Sequence, residues 1–409
     1  MISGSVSKMY SDEERDFVPS NVCSNCPIVE EPRIHLVSYT KRYTDVARLI
    51  RLKFIAQVCP KLRVEALKLA INHVKTTYNI KMYEELYKAL SIEVKRGARL
   101  SEAASNSVSE TSPRCSTSTP ENRTSHKVLP YDSYWVEDNT MEATLLLQEL
   151  DAELNFKKSN SGSGYVRRIL EEIGDYHVKS GNLQLAVKFY ARARPYCTSS
   201  DNVINMFRNL IRVSIYMANW WHVLSYIDEA KQYASGFQNL DREVPASLSC
   251  AAGLANIGLK IYKTAAHCFL LTPFDQYDYD KIVAPQDVAY YAGLCGLATL
   301  ELEMLELGCL NSETFKPFFS LSHKMWELLA NFISGNVDQC VKLLHEVEGH
   351  VRLDVYLAPH VDALYGKIMA RIQDRRHNSG ILKEQSSSTL LSEVEVNAKD
   401  TNYYTENDV

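Results

Sequence analysis

The sequence predicts an all-α repeat protein in which helical hairpins stack into a right-handed superhelix. Apolar residues recur at intervals of three and four over most of the chain, as the apolar face of a helix requires. The stretch GDYHVKSGNLQLAVKFYARAR returns further along the chain in degenerate form. Apolar residues make up 45% of the 409 residues, which is enough to fill a continuous core.

Composition and charge narrow the class of function. The formal net charge of -5 comes from 45 Lys and Arg against 50 Asp and Glu, so we expect no direct contact with nucleic acid. No apolar run reaches the roughly 18 residues of a membrane span, and the first residues lack the apolar core of a signal peptide. Ten cysteines are scattered without a framework, which favours a reducing compartment. We therefore expect the cytoplasm and nucleus, with no membrane contact.

The N-terminal part divides into a polar leader and a helical region. Residues 1–38 are expected to form a flexible leader, and residues 39–100 to form helical hairpins. Helices are predicted at about 42–57, 61–77 and 80–95. Pro60 stands near the start of the second helix, where its missing N–H costs nothing. The apolar stripe of that helix consists of Val64, Leu67, Ile71, Val74 and Tyr78.

A serine- and threonine-rich segment separates this region from the rest of the chain. Residues 101–126 contain eight Ser and four Thr, and too few apolar side chains to offset the entropy of ordering. We therefore predict a disordered linker over 101–130. Its Ser-Pro and Thr-Pro sites are either phosphorylation sites or parts of a plain linker.

The second half of the chain is predicted to be almost continuously helical. A helix is expected around 140–157, within a region of helical repeats over 131–275. A further helical region is predicted over 285–376. Residues 377–409 are polar and acidic, and we expect them to form a disordered tail.

The repeated unit has the small and aromatic residues of a tetratricopeptide-type hairpin. Its predicted packing residues are Leu170, Ile173, Gly174, Ala186, Tyr190 and Ala193. Small residues let the two helices approach closely, and the aromatic ring fills the groove between them. Gly181 is expected to adopt the left-handed conformation that ends the first helix, and Asn182 to cap the second.

The same skeleton returns twice. Thirty-seven residues later, Val223, Ile227 and Ala230 match Ala186, Tyr190 and Ala193, and forty-two residues further on Ala265 and Phe269 match again. Each hairpin can bury its apolar face only against a neighbour, so the repeats are expected to build an extended surface for partners.

Several short patterns in the sequence are similar to metal-binding or phosphate-binding motifs. His345 and His350 in HEVEGH are five residues apart, about 140° on a helical wheel, whereas two zinc ligands on one helix need a spacing of four. Surface histidines are the favoured interpretation. Cys23 and Cys26 form a lone pair without a second pair at zinc-site spacing. SGSG at 161–164 lacks the rest of a phosphate loop.

The remaining charged and aromatic candidates favour structural roles. Carboxylates are expected on solvated helix faces. The basic residues at 95–99 and 375–376 are interpreted as helix C-terminal charge rather than nucleic-acid contacts. Of Trp220 and Trp221, one is expected to pack in the core, and the other is a candidate anchor for a partner. No catalytic residue, metal or cofactor is predicted.

Long stretches of the chain resemble a known family. They include RLKFIAQVCPKLRVEALKLAINHVKTTYNIKMYEELYKAL, EIGDYHVKSGNLQLAVKFYARARPYCTSSDNVINM and VRLDVYLAPHVDALYGKI. Over roughly residues 40–100 and 130–372 the chain resembles the subunit-one family of the COP-nine signalosome, which belongs to the PCI-domain scaffolds. The resemblance implies helical repeats that lead into the helical part of a PCI domain at 285–376, and no catalytic residues.

The resemblance also implies a function and partners. Members of that family support removal of the ubiquitin-like protein Nedd from cullin-RING ligases, through contacts with other signalosome subunits. After MARIQDRR the family pattern of a winged helix is not evident in the sequence, so we expect a truncated form. Three alternatives stay open: a PCI-class subunit of the proteasome lid, a free truncated adaptor, and a metal-dependent hydrolase using His345 and His350.

Overall fold

The computed structural model is built from helices that pack mainly against their neighbours along the chain. It describes residues 26–106, 130–160, 162–235, 243–276 and 282–377, and these ranges contain no β-strand. The all-α prediction is confirmed. The predicted leader up to residue 25, most of the linker and the tail from residue 378 lie outside the described residues.

The helices fall into three groups along the sequence. The N-terminal helices are α1 (Leu36–Thr40), α2 (Asp45–Val58), α3 (Arg63–Val74) and α4 (Ile80–Asn106). The central helices are α5 (Ser133–Asn160), α6 (Ser163–Lys179), α7 (Leu183–Arg192), α8 (Ser200–Tyr216), α9 (Trp220–Ser235), α10 (Glu243–Gly258) and α11 (Tyr262–Leu270). The last helices are α12 (Pro285–Thr299), α13 (Leu302–Leu305), α14 (Lys316–Ser320), α15 (His323–Ile333), α16 (Val337–Val351) and α17 (361–377).

Four helical hairpins share one turn geometry. The turn residues with positive φ are Gly181 (80°), Ala218 (51°), Lys260 (64°) and Gly335 (78°). In each turn the next N–H donates to the carbonyl five residues back, at 2.8–2.9 Å, as in a Schellman-type helix end. The first three turns show the 37- and 42-residue spacings of the sequence repeat. The fourth, between α15 and α16, was missed by sequence reasoning although SGN at 334–336 repeats SGN at 180–182.

The first hairpin is held by close contact between a glycine and a tyrosine ring. A Cβ atom on Gly174 would lie 2.5 Å from Cε1 of Tyr190, so only glycine lets α6 and α7 approach this closely. The Tyr190 hydroxyl donates to Asp175 at 2.6 Å, and Arg212 of α8 donates to the same carboxylate at 3.1 Å. The repeat tyrosine therefore also ties its hairpin to the following one.

The other predicted packing residues lie in the interior. Ala186, Ala193, Ala230 and Ala265 have no exposed surface. Asn182 stands at the N-cap of α7, but its side chain accepts no capping hydrogen bond, so the predicted cap is not formed.

Two predicted boundaries require correction. Helix α4 runs through Asn106, so the first residues of the predicted 101–130 linker are helical. Ala103 and Ala104 favour that extension, because alanine has the best helix propensity. The predicted leader 1–38 is packed at its end, since Val29 is buried and its N–H donates to the Val58 carbonyl at 2.8 Å.

Two helix starts also differ from the prediction. Helix α3 begins at Arg63, and Pro60 lies in the preceding turn. Helix α5 begins at Ser133 rather than near 140, because Asp132 accepts a hydrogen bond from the Trp135 N–H at 3.0 Å and so caps the helix. In the part of the chain that the structure describes, no helix has the length and apolarity needed to span a bilayer.

The tight packing of α7 generates a first prediction. Ala186→Trp should lower the free energy of unfolding by more than about 2 kcal/mol, because a large ring cannot fit where alanine is fully buried. Urea denaturation measures the change. Gln184→Trp, on the exposed side of the same helix, is the control and should have little effect. An unchanged midpoint for Ala186→Trp would contradict the packing described.

Candidate functional site

A buried cluster of charged and aromatic side chains joins distant parts of the chain. The guanidinium of Arg51, on α2, has no exposed surface and lies over the Tyr43 ring, 3.7 Å from carbon Cζ to the ring centroid. Its Nη2 atom is 3.7 Å from Oδ2 of Asp287, on the first turn of α12. The ring of Tyr356 lies 5.2 Å from the same guanidinium. The cation is thus enclosed by two rings and one carboxylate.

Asp287 forms hydrogen bonds with both the start of α12 and the N-terminal region. Its Oδ2 atom accepts a hydrogen bond from the Tyr43 hydroxyl at 2.7 Å and one from the Ala284 N–H at 3.0 Å. The second bond satisfies one of the free N–H groups at the helix start. Replacing this carboxylate would therefore disturb both a helix end and a contact between segments far apart in sequence.

A second buried carboxylate, Asp354, organises the turn after α16. It accepts from the Tyr291 hydroxyl of α12 at 2.9 Å and from the backbone N–H groups of Tyr356 and Leu357 at 3.0 and 2.9 Å. The turn is thereby fixed against α12, and Tyr356 is positioned over Arg51.

Burial dominates the electrostatics of both carboxyls. It raises the pKa of Asp287, and the Arg51 charge and the Tyr43 hydroxyl lower that pKa by less. Burial also raises the pKa of Asp354, and the negative charge of Asp287 raises it further. The gap among Asp287, Tyr291, His350 and Asp354 has no room for a water molecule. The cluster is thus a structural link between helices, closed to a substrate.

Sequence reasoning missed this cluster. The expectation that carboxylates lie on solvated faces is wrong for Asp287 and Asp354, which are 2% and 4% exposed. A signal was present, because each aspartate stands in an apolar setting, APQDVAYY and VRLDVYLAP. Most neighbours of Arg51 on α2 are buried apolar residues, whereas Arg48 and Lys53 are partly exposed.

The two histidines of HEVEGH have different surroundings. His345 is exposed, and its Nδ1 atom is 3.4 Å from a Glu348 carboxylate oxygen. His350 packs against Tyr39 and Tyr290, with ring centroids 5.8 and 4.7 Å away, and burial lowers its pKa to about 4. His350 is therefore half-buried, which corrects the prediction that both histidines lie at the surface. The described ranges contain no group of three His, Cys, Asp or Glu side chains that could hold a metal ion.

A third histidine links the repeats to the last helices. His360 is 6% exposed, and its Nδ1 atom lies 3.1 Å from the Tyr262 hydroxyl of α11. Burial, assisted by the charge of Lys260, lowers its pKa to about 4. The imidazole is therefore neutral at physiological pH.

The remaining candidate residues from the sequence that the structure describes lie at helix ends, within helices or in partly buried positions. Cys23 lies outside the described residues, and Cys26 is partly buried, which raises the pKa of its thiol. Gly162 of SGSG is the N-cap residue of α6. Because α4 continues to Asn106, the basic residues at 95–99 lie within that helix rather than at its end. Arg375 donates to the Ile333 carbonyl at the end of α15, at 3.0 Å.

The adjacent tryptophans separate into one packed and one exposed ring. Trp220 packs against Tyr356, with ring centroids 6.1 Å apart, and leaves no space for a side chain at Gly258. Trp221 is 70% exposed. Trp220 therefore belongs to the packing between the repeats and the Arg51 cluster.

Comparison with known proteins agrees with this architecture. The family model described as 26S proteasome subunit RPN7 matches residues 132–307. COP9 signalosome complex subunit 1b of Drosophila melanogaster is 37% identical over 366 residues, which cover 84% of this chain and 70% of that protein. The chain belongs to the COP9 signalosome subunit 1 family. COP9 signalosome complex subunit 1 of Arabidopsis thaliana is 30% identical over 88% of the chain and 77% of that protein. For the Emericella nidulans protein of the same name, the identity is 27% over 85% of the chain and 65% of that protein.

The Arg51 cluster generates a second prediction. Arg51→Met should lower the free energy of unfolding by about 3 kcal/mol, because it leaves two buried carboxyls without their cation. In an Asp287→Asn background the same replacement should cost at least about 1 kcal/mol less. Urea denaturation of the four proteins of this double-mutant cycle measures the difference.

An exposed ion pair supplies the control for that cycle. Lys324 and Glu346 lie 2.8 Å apart with both side chains about half exposed, so Lys324→Met should cost less than about 1 kcal/mol. Additive effects of the Arg51 and Asp287 replacements would contradict the coupling.

A third prediction concerns acid stability. Unfolding restores the pKa of His360 from about 4 to its ordinary value near 6.5, so the unfolded chain binds a proton that the folded chain does not. The stability due to neutral His360 is complete above about pH 6.5 and is lost as pH falls toward 4. His360→Asn should therefore flatten the decline of stability between these pH values, measured by urea denaturation. Exposed His345→Asn is the control, and an equal flattening for that variant would refute the assignment to His360.

Proposed function

We propose that this chain is a non-catalytic scaffold subunit of the COP9 signalosome. In that role it supports the removal of Nedd from cullin-RING ubiquitin ligases through protein-protein contacts. The observation that carries the proposal is the extent of the match, since a relative named as a signalosome subunit aligns with 84% of the chain. One core cluster extends from Val29 to Ile372, and a second, smaller cluster joins Leu150 and Leu154 of α5 to the buried face of α6.

The chemistry of the interior agrees with a scaffold. Asp287 and Asp354 bind helix ends and tyrosine hydroxyls, and His360 lies against a tyrosine hydroxyl. These groups hold elements together, because their polar atoms are directed at other parts of the same chain.

The proposed partners follow from the same role. We propose direct contacts with other signalosome subunits, and contact with cullin-RING ligases through the assembled complex. The proposed location is the cytoplasm and nucleus, with neither membrane nor nucleic acid as a direct partner. The nearly balanced charge supports the last point.

A second candidate is a PCI-class subunit of the proteasome regulatory lid. The match of residues 132–307 to the RPN7 family model favours it. The relatives named as signalosome subunits cover more of the chain, which favours the first candidate.

The fourth prediction concerns the proteins that accompany the chain. A tagged 409-residue chain, expressed at native level and purified under mild conditions, should retain the other signalosome subunits in near-equal amounts by mass spectrometry. Ala186→Trp is a control, because a misfolded repeat should lose them. Recovery of proteasome-lid subunits would favour the second candidate, and recovery of the chain alone would identify a free adaptor.

A further inference from the structure

Helix α5 has a buried face and, on the opposite side, an exposed apolar face. The face toward the protein consists of Asn139, Ala143, Leu150 and Leu154, all buried. The opposite face carries Tyr134, Met141, Leu145 and Phe156, which are 78%, 64%, 64% and 61% exposed. At about 100° per residue these four side chains fall within an arc of about 60°, and they extend over about 33 Å of helix. We call them the outer stripe.

Such a stripe is unusual for the solvent side of a helix. A helix on a protein surface normally presents polar side chains to water, and single exposed apolar residues are scattered. Here four large side chains align along one face, and Ala152 is the residue on the same line in the eleven-residue interval between Leu145 and Phe156. An aligned apolar surface of this length is typical of a site that another protein covers.

A row of carboxylates borders the outer stripe. Asp138, Glu142, Glu149 and Glu153 project beside it along one edge, at about 40–100° on the same wheel. Glu142 accepts a hydrogen bond from the Tyr78 hydroxyl at 3.5 Å, and no ion pair is formed by Asp138, Glu149 or Glu153 with another residue that the structure describes. Lys157 lies at the other end of the helix, with its ammonium over the rings of Phe156 and Tyr165. Most of the stripe is therefore flanked by negative charge.

We propose that the outer stripe docks an amphipathic helix of a partner polypeptide whose apolar side is bordered by lysine or arginine. The apolar side of that helix covers the stripe, and its basic residues face the carboxylate row. This is the helix-on-helix form of recognition, in which apolar contact supplies affinity and charge sets the partner and its register. The inference rests on the scaffold role proposed above, because it names one surface through which that role is carried out.

Other occupants fit the stripe less well. A second copy of the chain would place its own carboxylate row against this one. Residues 107–129 contain only Val108, Val128 and Leu129 as aliphatic side chains larger than alanine. Residues 378–409 contain six acidic residues and two lysines, so their charge has the wrong sign.

The fifth prediction uses two synthetic helical peptides and the purified full chain. Each peptide has about 22 residues, the length of the stripe, with leucines along one side. One has lysines beside the leucines, and the other has glutamates. Fluorescence anisotropy should show the lysine peptide binding at least about tenfold more tightly than the glutamate peptide, with the difference reduced in Asp138→Asn/Glu149→Gln.

The location of binding is tested with exposed residues that do not support the fold. Met141→Ser/Leu145→Ser should weaken binding of the lysine peptide at least about tenfold without changing the melting temperature. Leu271→Ser is the control, because Leu271 is 73% exposed at the end of α11, and it should leave binding unchanged.

Several results would overturn the proposal. Equal binding of both peptides would contradict the role of charge, and unchanged binding of the lysine peptide to Met141→Ser/Leu145→Ser would contradict the location. A dimer in sedimentation that this double variant abolishes would identify a second copy of the chain as the occupant. Tighter peptide binding after deletion of 107–129 or 378–409 would identify that segment as the occupant. The scaffold assignment is judged separately by co-purification. If the lysine peptide binds but no signalosome subunits co-purify, the outer stripe is still a docking face, and membership of the chain in the complex is refuted.

Discussion

The ion pair of Arg51 and Asp287 is the constraint on which the arrangement of the chain depends. A buried guanidinium is costly unless its partners are in place, and those partners come from the segment before α2, from α12 and from the turn after α16. Any state that separates these segments leaves a charge buried without compensation or exposes the surrounding apolar side chains. The N-terminal helices are therefore held against the last helices, although more than two hundred residues separate them in sequence.

The helical hairpins rely on a different constraint. Their turns need a residue in the left-handed conformation, and the chain uses glycine at two turns and alanine and lysine at the other two. Non-glycine residues adopt this conformation at a cost of roughly 1–2 kcal/mol. Close packing offsets that cost, as at Ala230 and Ala265, which lie buried in the helices that follow the two strained turns. The copies of the repeat thus share their packing residues more than their turn residues.

Periodicity in the sequence predicted the helical hairpins because each hairpin is a local structure. Gly174 and Tyr190 meet across a single turn, so the spacing of these two residues indicates the contact. The Arg51 cluster depends on contacts between segments far apart, and a single sequence does not show which aspartate faces which cation. The sequence also does not show how exposed His350 is, because its neighbours Tyr39 and Tyr290 belong to other elements. The residue pattern therefore predicts the helices, whereas the burial of charged side chains depends on tertiary contacts.

Native-state hydrogen exchange tests most directly whether the Arg51 cluster makes the two ends of the chain one cooperative unit. If it does, the slowest amides of α2 and of α12 should exchange with the same free energy and the same dependence on urea. In Arg51→Met the α2 amides should then exchange at a lower free energy than those of α12. Independent opening of α2 in the unmodified chain, with α12 still protected, would contradict this coupling.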